Sequence, residues 1–267
     1  MAVSDAWNPA QYDRFRAERQ QPFFDLLDLV TPAADMVAVD LGAGTGETTR
    51  LLHQRLRCKS TLGVDSSPAM LQAAREQEQK DGSLSGLRFA LAHVENTADW
   101  ATPAARFDLL FSNACLQWVP EHVPLFAQLA ERLTSTGQLA VQMPVNNDHA
   151  SHVLARELFD AAPYASYLRT ARHASPVLPP ESYARLLHKL GFKKQRVVVQ
   201  VYGHLLDSRD DVVEWVKGSL LTEPRRLLPP ELYARFEAEY RERLQARLVD
   251  ERPYFYPFKR LLMWAAR

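Results

Sequence analysis

Short apolar runs alternate with amphipathic stretches between about residue 36 and residue 143. Such runs are typical of buried strands, and the stretches between them are typical of helices that cover a sheet. The predicted strands are 36–41, 61–65, 87–91, 107–112 and 137–143, and the predicted helices are 47–56, 68–79 and 123–133. Strands that alternate with helices predict a doubly wound, mostly parallel α/β sheet of the Rossmann-like kind.

The pattern changes after Met143, where Asn146, Asn147 and Asp148 interrupt it. Residues 149–180 are predicted to begin as a helix and to continue as a loop. Further helices are predicted at 182–190, 209–218 and 230–249, and further strands at 197–202 and 258–266. We therefore expect a single domain over 1–267 with a seven-stranded sheet. A helix over 7–30 and insertions over 146–180 and 206–250 are expected to form a cap over the carboxyl edge of that sheet.

Composition and charge exclude several classes of protein. The 267 residues include 32 basic and 32 acidic side chains, so the formal net charge gives no sign of bulk-charge binding to nucleic acid. No apolar stretch approaches the roughly 20 residues of a membrane-spanning helix, and no signal-peptide pattern opens the chain. We therefore expect a cytoplasmic location. Cys58 and Cys115 lack metal-site spacing, so we expect two reduced packing residues and no metal.

A glycine-rich turn at residues 40–46 carries the strongest chemical signal. It follows a predicted strand directly and precedes a predicted helix, where Gly42 allows a tight turn and Gly44 lets the backbone approach a ligand. The next strand ends at Asp65, whose carboxylate can accept hydrogen bonds from the hydroxyls of a ribose. The residues predicted to form this part of a cofactor site are Asp40, Gly42, Ala43, Gly44, Asp65 and Ser66.

Both NAD and S-adenosylmethionine are compatible with these features, and Glu47 distinguishes them. The dinucleotide fingerprint GxGxxG/A would place Gly or Ala at that position, at the start of the helix. A carboxylate there would face the pyrophosphate of NAD, which is electrostatically unfavourable. A sulfonium cofactor with a free amino group tolerates acids at this place, and Asp40 adds negative charge on the same side. The sequence therefore favours S-adenosylmethionine.

Two later loops complete the predicted site. After the third strand, Glu95 or His93 can accept a hydrogen bond from the adenine amine, and Val94 lies between these two residues. Met70 can cover the adenine ring. The ordinary alternatives are a surface His, a solvated Glu and a core Met. At the end of the fourth strand, Asn113 and Ala114 are expected to meet the methionyl part of the cofactor. Gln117 and Trp118 are expected near the transferred methyl group, and Trp118 is equally compatible with the core.

The chain resembles the trans-aconitate 2-methyltransferases nearly from end to end. The segments that carry the resemblance are Trp7-Asn8-Pro9, Tyr12, Phe15, Ala17-Glu18-Arg19, residues 65–71, Asn113-Ala114, Leu116-Gln117-Trp118, residues 139–144 and residues 257–262. The glycine turn belongs to a much larger superfamily, whereas the WNP-x2-Y-x2-F pattern, LQW and VQMP are more specific. Two places depart from the family: His93 stands where an acid is usual, and residues 220–226 look different.

The resemblance implies a monomeric bacterial enzyme of the cytoplasm that esterifies one carboxylate of trans-aconitate. An ionised carboxylate needs no general base, so the expected work of the enzyme is alignment, exclusion of water and retention of the remaining carboxylates. Tyr12 and Arg19 are candidates for the carboxylate of the cofactor itself. The candidates for binding the small anionic substrate are Gln117, Trp118, Gln142, Arg169, Arg172 and His173.

Three alternatives stay open at the level of sequence. The first is a methyltransferase of the same fold that acts on another small acid or on an acyl thioester such as a malonyl carrier. The second is a nicotinamide-dependent oxidoreductase, which Glu47 disfavours. The third is a protein that binds S-adenosylmethionine without turnover, because an intact glycine turn alone does not require catalysis.

Overall fold

The computed structural model describes residues 16–82, 84–169 and 175–267. Its strands are β1 (Val37–Leu41), β2 (Ser60–Asp65), β3 (Leu87–Leu91), β4 (Phe107–Asn113), β5 (Leu133–Pro144), β6 (Lys194–Leu206) and β7 (Tyr254–Ala266). Within these described ranges they form one sheet in the order β3-β2-β1-β4-β5-β7-β6. The pairs among β1–β5 are parallel, and β7 runs antiparallel to β5. The predicted seven-stranded, mostly parallel sheet is confirmed.

The helices lie between the strands and in the second half of the chain. Their bounds are α1 (Arg16–Leu27), α2 (Glu47–Arg55), α3 (Pro68–Asp81), α4 (Thr97–Trp100), α5 (His122–Glu131), α6 (Ala150–Phe159), α7 (Ala165–Leu168), α8 (Pro180–Lys189), α9 (Asp211–Lys217), α10 (Thr222–Leu227) and α11 (Pro230–Arg247). A 3₁₀ turn spans Leu116–Trp118. None of the helices in the described residues combines the length and the apolar character needed to cross a membrane.

The strand order reverses between β1 and β4, which are neighbours in the sheet although two strands separate them in the chain. The chain leaves β1 toward β2 and β3 on one side, and continues through β4 and β5 on the other. In open parallel sheets, the crevice at such a reversal is where ligands bind, at the carboxyl ends of the strands. The residues that follow β1 and β4 are therefore the ones expected to line a ligand crevice.

The chain packs as two compact units. The sheet unit comprises Arg19–Pro144, Pro176–Gln200 and Arg260–Arg267. Its core is built from fully buried strand residues such as Leu110 and Phe111, and Phe23 of α1 packs edge-on against Phe111 with ring centroids 5.6 Å apart. The apolar run that predicted β4 is thus the centre of this core, because both faces of the strand are covered.

The helical unit is formed, among the described residues, mainly by 145–169 and 201–259. Its core is aromatic: Phe236 and Tyr240 of α11 stack with ring centroids 6.3 Å apart, and Tyr164 meets Phe236 edge-on at 5.1 Å. Tyr240 also donates a hydrogen bond to the carbonyl of Ser151 in α6. The insertions therefore have a hydrophobic core of their own.

Several predicted boundaries differ from the observed ones. The predicted helix 123–133 ends at Glu131, and Leu133 already belongs to β5, which is longer than predicted. Residues 28–30 are not helical, and residues 7–15 of the predicted N-terminal helix lie outside the described residues. The helix α6 lies where residues 149–180 were predicted to begin as a helix, whereas α4, α7 and α10 had no distinct prediction. The expectation that residues 1–267 form a single domain, with a helical cap over the carboxyl edge of the sheet, stays a prediction.

Candidate cofactor and acceptor site

The glycine turn leaves β1 in a backbone conformation that favours glycine. Gly42, Gly44 and Gly46 have φ angles of 85°, 56° and 77°, in the left-handed region where a side chain is strained. The amides of Gly42 and Ala43 both donate to the carbonyl of Val64, at 2.8 and 2.9 Å. These bonds fasten the turn to β2, so the glycines are required by the geometry as well as by the motif.

Asp65 joins the turn to the start of α3. One carboxylate oxygen accepts from the amide of Gly44 at 2.8 Å, and the other accepts from the amide of Ser67 at 2.9 Å. Because a carboxylate can accept about four hydrogen bonds through its two oxygens, Asp65 can hold the turn and also accept from a hydroxyl group of a ligand. A Cβ built at Gly44 would meet no atom within 4 Å, which means that open space lies beside the turn. The turn and Asp65 therefore fit a ribose-containing cofactor.

Asp40 lies beneath the turn rather than at its surface. The side chain is 2% exposed and accepts a hydrogen bond of 2.6 Å from the hydroxyl of Thr49 in α2. Burial raises the pKa of Asp40 to about 7, with Asp65 adding to the increase and the Thr49 bond opposing it. The predicted full negative charge is thus reduced near pH 7, and Asp40 supports α2 and the turn from below.

The loops expected around adenine have unequal exposure. Met70 is 8% exposed in the first turn of α3, where its amide donates to the N-cap hydroxyl of Ser67 at 3.2 Å. Val94 is buried, whereas His93 and Glu95 are well exposed with 3.7 Å between Nδ1 and Oε1. The exposed pair is available to a polar ligand edge, and the buried pair provides apolar surface.

The end of β4 carries the second half of the site. Ala114 has a φ of 55°, and its amide donates to the carbonyl of Gln142 at 2.9 Å, which fixes the chain at its departure from the sheet. Cys115 then packs against the glycine turn, because a Cβ at Gly42 would lie 2.5 Å from its Sγ. Burial and the carboxylates of Asp65 and Asp40 raise the pKa of Cys115 well above its usual range, so this thiol stays protonated and is a packing residue.

The 3₁₀ turn Leu116–Trp118 follows directly. Gln117 Nε2 donates to the carbonyl of Ala114 at 2.8 Å, while its buried Oε1 has no hydrogen-bond partner among the described residues. His122 fixes the turn from behind, since its Nε2 bonds the carbonyl of Leu116 at 2.9 Å and its Nδ1 bonds the hydroxyl of Tyr183. The LQW segment is therefore held rigidly at the carboxyl edge of β4.

A hydrogen-bonded row crosses three neighbouring strands beside Asn113. With the amide of Gln142 oriented to match donors with acceptors, its nitrogen donates to Asn113 Oδ1 at 2.8 Å and its oxygen accepts from the guanidinium of Arg260 at 3.1 Å. Gln142 is 0% exposed and Arg260 is 5% exposed. Sequence reasoning missed Arg260, although a charged residue in the apolar run 258–266 was a signal that it has a buried partner.

Comparison with known proteins identifies the group to which the chain belongs. Residues 12–197 match a family described as "Methyltransferase domain". The trans-aconitate 2-methyltransferase of Deinococcus radiodurans is 41% identical over 98% of this chain and 98% of its own length. That of Sinorhizobium medicae is 40% identical over 90% of each chain. The chain belongs to the trans-aconitate 2-methyltransferase family.

Solved structures agree with this fold at low sequence identity. The YcgJ protein of Bacillus subtilis superposes with a TM-score of 0.61 at 12% identity, covering 93% of this chain and 98% of its own. A phosphoethanolamine N-methyltransferase 2 of Haemonchus contortus, in complex with S-adenosylhomocysteine, gives a TM-score of 0.55 at 16% identity, over 92% of this chain and 52% of its own. The predicted class of enzyme, an S-adenosylmethionine-dependent methyltransferase, is confirmed at the level of the family.

The sheet unit of this methyltransferase brings most of the predicted cofactor residues to the ends of β1, β2 and β4, with the 93–95 loop following β3. The side chain of Gln142, which is predicted to bind the substrate, is fully buried and contacts Asn113 and Arg260. Arg169 is exposed just after α7 in the helical unit. Tyr12, Arg172 and His173 lie outside the described residues, as does the side chain of Arg19.

Proposed function

We propose that this chain transfers the methyl group of S-adenosylmethionine to one carboxylate oxygen of a small polycarboxylic acid, with trans-aconitate as the acceptor. The observation that carries the proposal is the length of the match with the relatives named for this activity. The methyltransferase-domain match ends at residue 197, whereas the Deinococcus radiodurans relative matches 98% of the chain. The likeness therefore includes residues 201–259, which form most of the helical unit, as well as the cofactor fold.

The residues of the sheet unit fit the cofactor. Asp65 would accept from the ribose hydroxyls while its present bonds to Gly44 and Ser67 hold it in place. The glycine turn would receive the methionyl part, and Met70 with Val94 would cover the adenine. When bound, S-adenosylmethionine would supply a methyl carbon attached to a positively charged sulfur, so that a carboxylate oxygen forms the ester bond as the sulfur–methyl bond breaks and S-adenosylhomocysteine leaves with the electron pair.

No side chain needs to remove a proton from a carboxylate acceptor, because such acids are ionised well below neutral pH. The chain contributes by orienting the acceptor and excluding water from a weak nucleophile, and orientation alone can be worth roughly 7–11 kcal/mol in favourable cases. Gln117 and Trp118 are proposed to contact the acceptor from the rigid LQW turn. Support for this role comes from the bond between His122 Nε2 and the carbonyl of Leu116, which holds the turn in place at the carboxyl end of β4.

The remaining carboxylates of the acceptor need cationic partners. We assign this task to Arg169, Arg172 and His173, with Tyr12 and Arg19 directed to the carboxylate of the cofactor. Arginine suits a carboxylate because its planar fork makes two parallel hydrogen bonds. The helical unit is proposed to act as the cap predicted from the sequence, and a cytoplasmic monomer belongs to the same proposal.

Label transfer to a panel of acids tests the proposal directly. The protein would be incubated with methyl-labelled S-adenosylmethionine and trans-aconitate, cis-aconitate, citrate or a malonyl thioester. We expect a base-labile methyl ester with trans-aconitate and a higher kcat/KM than with the other acids. Label on the thioester alone would show that the acceptor is an acyl thioester and not trans-aconitate. Binding of S-adenosylhomocysteine without methyl transfer to any acid would indicate a binding protein. Preferential binding of NAD would refute the cofactor assignment.

A further inference from the structure

The row formed by Asn113, Gln142 and Arg260 has a fixed direction. The three residues lie on adjacent strands and project from the same face of the sheet, because Asn113 pairs with Gln142 in the parallel register and Arg260 pairs with Pro144, two residues further along β5. All three belong to the sheet unit. Their side chains therefore meet at the carboxyl ends of β4 and β5, beside the departure of the LQW turn.

The direction follows from groups that can only donate. The guanidinium of Arg260 and the amide of Met143 carry no acceptor, and both point to the same end of the Gln142 side chain, at 3.1 and 3.3 Å. That end must be the oxygen. The amide nitrogen of Gln142 is then turned toward Asn113, so the atom of Asn113 that it meets at 2.8 Å must be Oδ1.

The bond from Gln142 also determines which group Asn113 presents on its other side. Its Oδ1 is occupied by Gln142, so its Nδ2 lies on the other side of the amide carbon, directed away from Gln142. Asn113 is half-buried, and the described residues show no hydrogen bond from its Nδ2. An asparagine at this edge can in principle offer either its oxygen or its nitrogen to a ligand. With Oδ1 turned toward Gln142, the group that Asn113 directs away from the row is its N–H₂ donor.

We propose that Arg260 and Gln142 are positioning residues that turn the donor group of Asn113 toward the ligand, and that this selects a carboxylate. A carboxylate accepts hydrogen bonds and has no proton to give, so it complements a fixed N–H₂ group. The buried charge of Arg260 adds positive potential at a sheet edge that otherwise holds Asp40 and Asp65. The inference rests on the proposed function, which supplies two carboxylates: that of the cofactor and those of the acceptor.

The variant Gln142→Glu reverses the row without removing it. One carboxylate oxygen still accepts from Arg260 and Met143, but the other now faces Asn113 and attracts its N–H₂ group. Asn113 then turns over and presents Oδ1 to the ligand. Losing a hydrogen bond to a charged group and gaining an unfavourable contact should weaken carboxylate binding by about tenfold or more.

Two calorimetric titrations distinguish the sources of the carboxylate. If Asn113 binds the cofactor carboxylate, Gln142→Glu lowers the affinity for S-adenosylhomocysteine. The affinity for 5′-methylthioadenosine, which lacks the amino-acid part, stays unchanged. If it binds the acceptor, S-adenosylhomocysteine is unchanged and trans-aconitate binds the saturated protein more weakly. Unchanged or tighter binding in both titrations overturns the inference. Should trans-aconitate not bind the native protein, the proposed acceptor is wrong, and the S-adenosylhomocysteine titration alone decides the inference.

Gln138→Glu is the matched control. Gln138 lies on the same strand, is 7% exposed and hydrogen-bonds Thr31 and Trp264, so the change adds the same charge away from the row. It should alter the melting temperature while leaving both affinities as in the native protein. Arg260→Lys, which retains a cationic donor, should restore most of the carboxylate affinity that Arg260→Met loses. Equal affinities in these two variants, if Gln142→Glu fails to fold, would also refute the positioning role.

Discussion

The sheet unit and the helical unit place their chemical groups in different ways. In the sheet unit, the glycine turn and Asp65 lie at the ends of neighbouring strands, and the hydrogen bond between Gly44 and Asp65 that joins them spans 21 residues. In the helical unit, the core joins segments that are far apart in the chain, such as Tyr240 and Ser151, which are 89 residues apart. Recognition of a shared cofactor can therefore be encoded in local motifs, whereas the environment of an acceptor depends on long-range packing.

The two units also differ in how they hold titratable groups. The sheet unit buries a carboxylic acid, Asp40, whose pKa is raised to about 7. The helical unit contains His152, whose pKa is lowered to about 4, and His149, whose pKa is also lowered. Burial is the largest cause in each case, because it disfavours the charged form. Opposite responses of the units to pH follow from this contrast.

The largest expected effect comes from the aromatic core. Phe236→Ala removes a fully buried ring that contacts Tyr164 and Tyr240, and such truncations cost about 3–5 kcal/mol of unfolding free energy. We expect hydrogen exchange to accelerate in α6 and α11 while β1 and β4 stay protected, and the affinity for S-adenosylhomocysteine to stay unchanged. Phe126→Ala, at a fully buried site of the sheet unit, should give the opposite pattern. Equal acceleration in both units would show one cooperative structure.

The next effect is on cofactor binding. Asp65→Ala removes the acceptor for Gly44 and Ser67 together with the proposed ribose bonds. Loss of two charge-assisted hydrogen bonds should cost on the order of 3 kcal/mol, or more than a hundredfold in affinity for S-adenosylhomocysteine by calorimetry. Asp65→Asn, which keeps one acceptor oxygen, should have an affinity for S-adenosylhomocysteine between that of the native protein and that of Asp65→Ala. An unchanged affinity in the alanine variant would remove Asp65 from the site.

Much of the sheet unit could be predicted from local sequence, and particular residues show why the rest could not. The alternation of apolar runs with amphipathic stretches predicted the position of every strand. The glycines at 42, 44 and 46 predicted the turn, and their backbones have left-handed φ angles. Arg260 was missed because its partner, Gln142, lies 118 positions earlier, and that pairing arises only when β5 meets β7. The helix α10 had no distinct prediction because it packs against α7 and α11, and no local pattern reveals these neighbours.

A smaller effect is expected from the ionisation of Asp40. Its folded pKa lies above the unfolded value of about 3.9, so the protonated form is favoured by folding. The associated stability is present below pH 4 and is lost as pH rises to about 7. Asp40→Asn should lack this loss, so the difference in unfolding free energy between the variant and the native protein should change between these values and level off above pH 8. Thr49→Val, which removes the opposing hydrogen bond, should move the window upward.

The smallest effect is the reverse response of the helical unit. His152 hydrogen-bonds the Ser151 hydroxyl at 3.1 Å, and burial, His149 and Arg156 together lower its pKa, while Asp148 opposes them. The pKa of His152 is lower in the folded protein than in the unfolded chain, so the unfolded chain takes up the proton at a higher pH. The associated stability is therefore present above about pH 6.5 and is lost as pH falls toward 4. His152→Gln should reduce this loss, seen as slower exchange in α6 at pH 5 relative to the native protein, with no change at pH 8. Since Asp40 acts in the opposite direction, the double variant with Asp40→Asn should show the two effects in separate units. Exchange in α6 that is equally fast in the native protein and in His152→Gln at pH 5 would contradict the assignment.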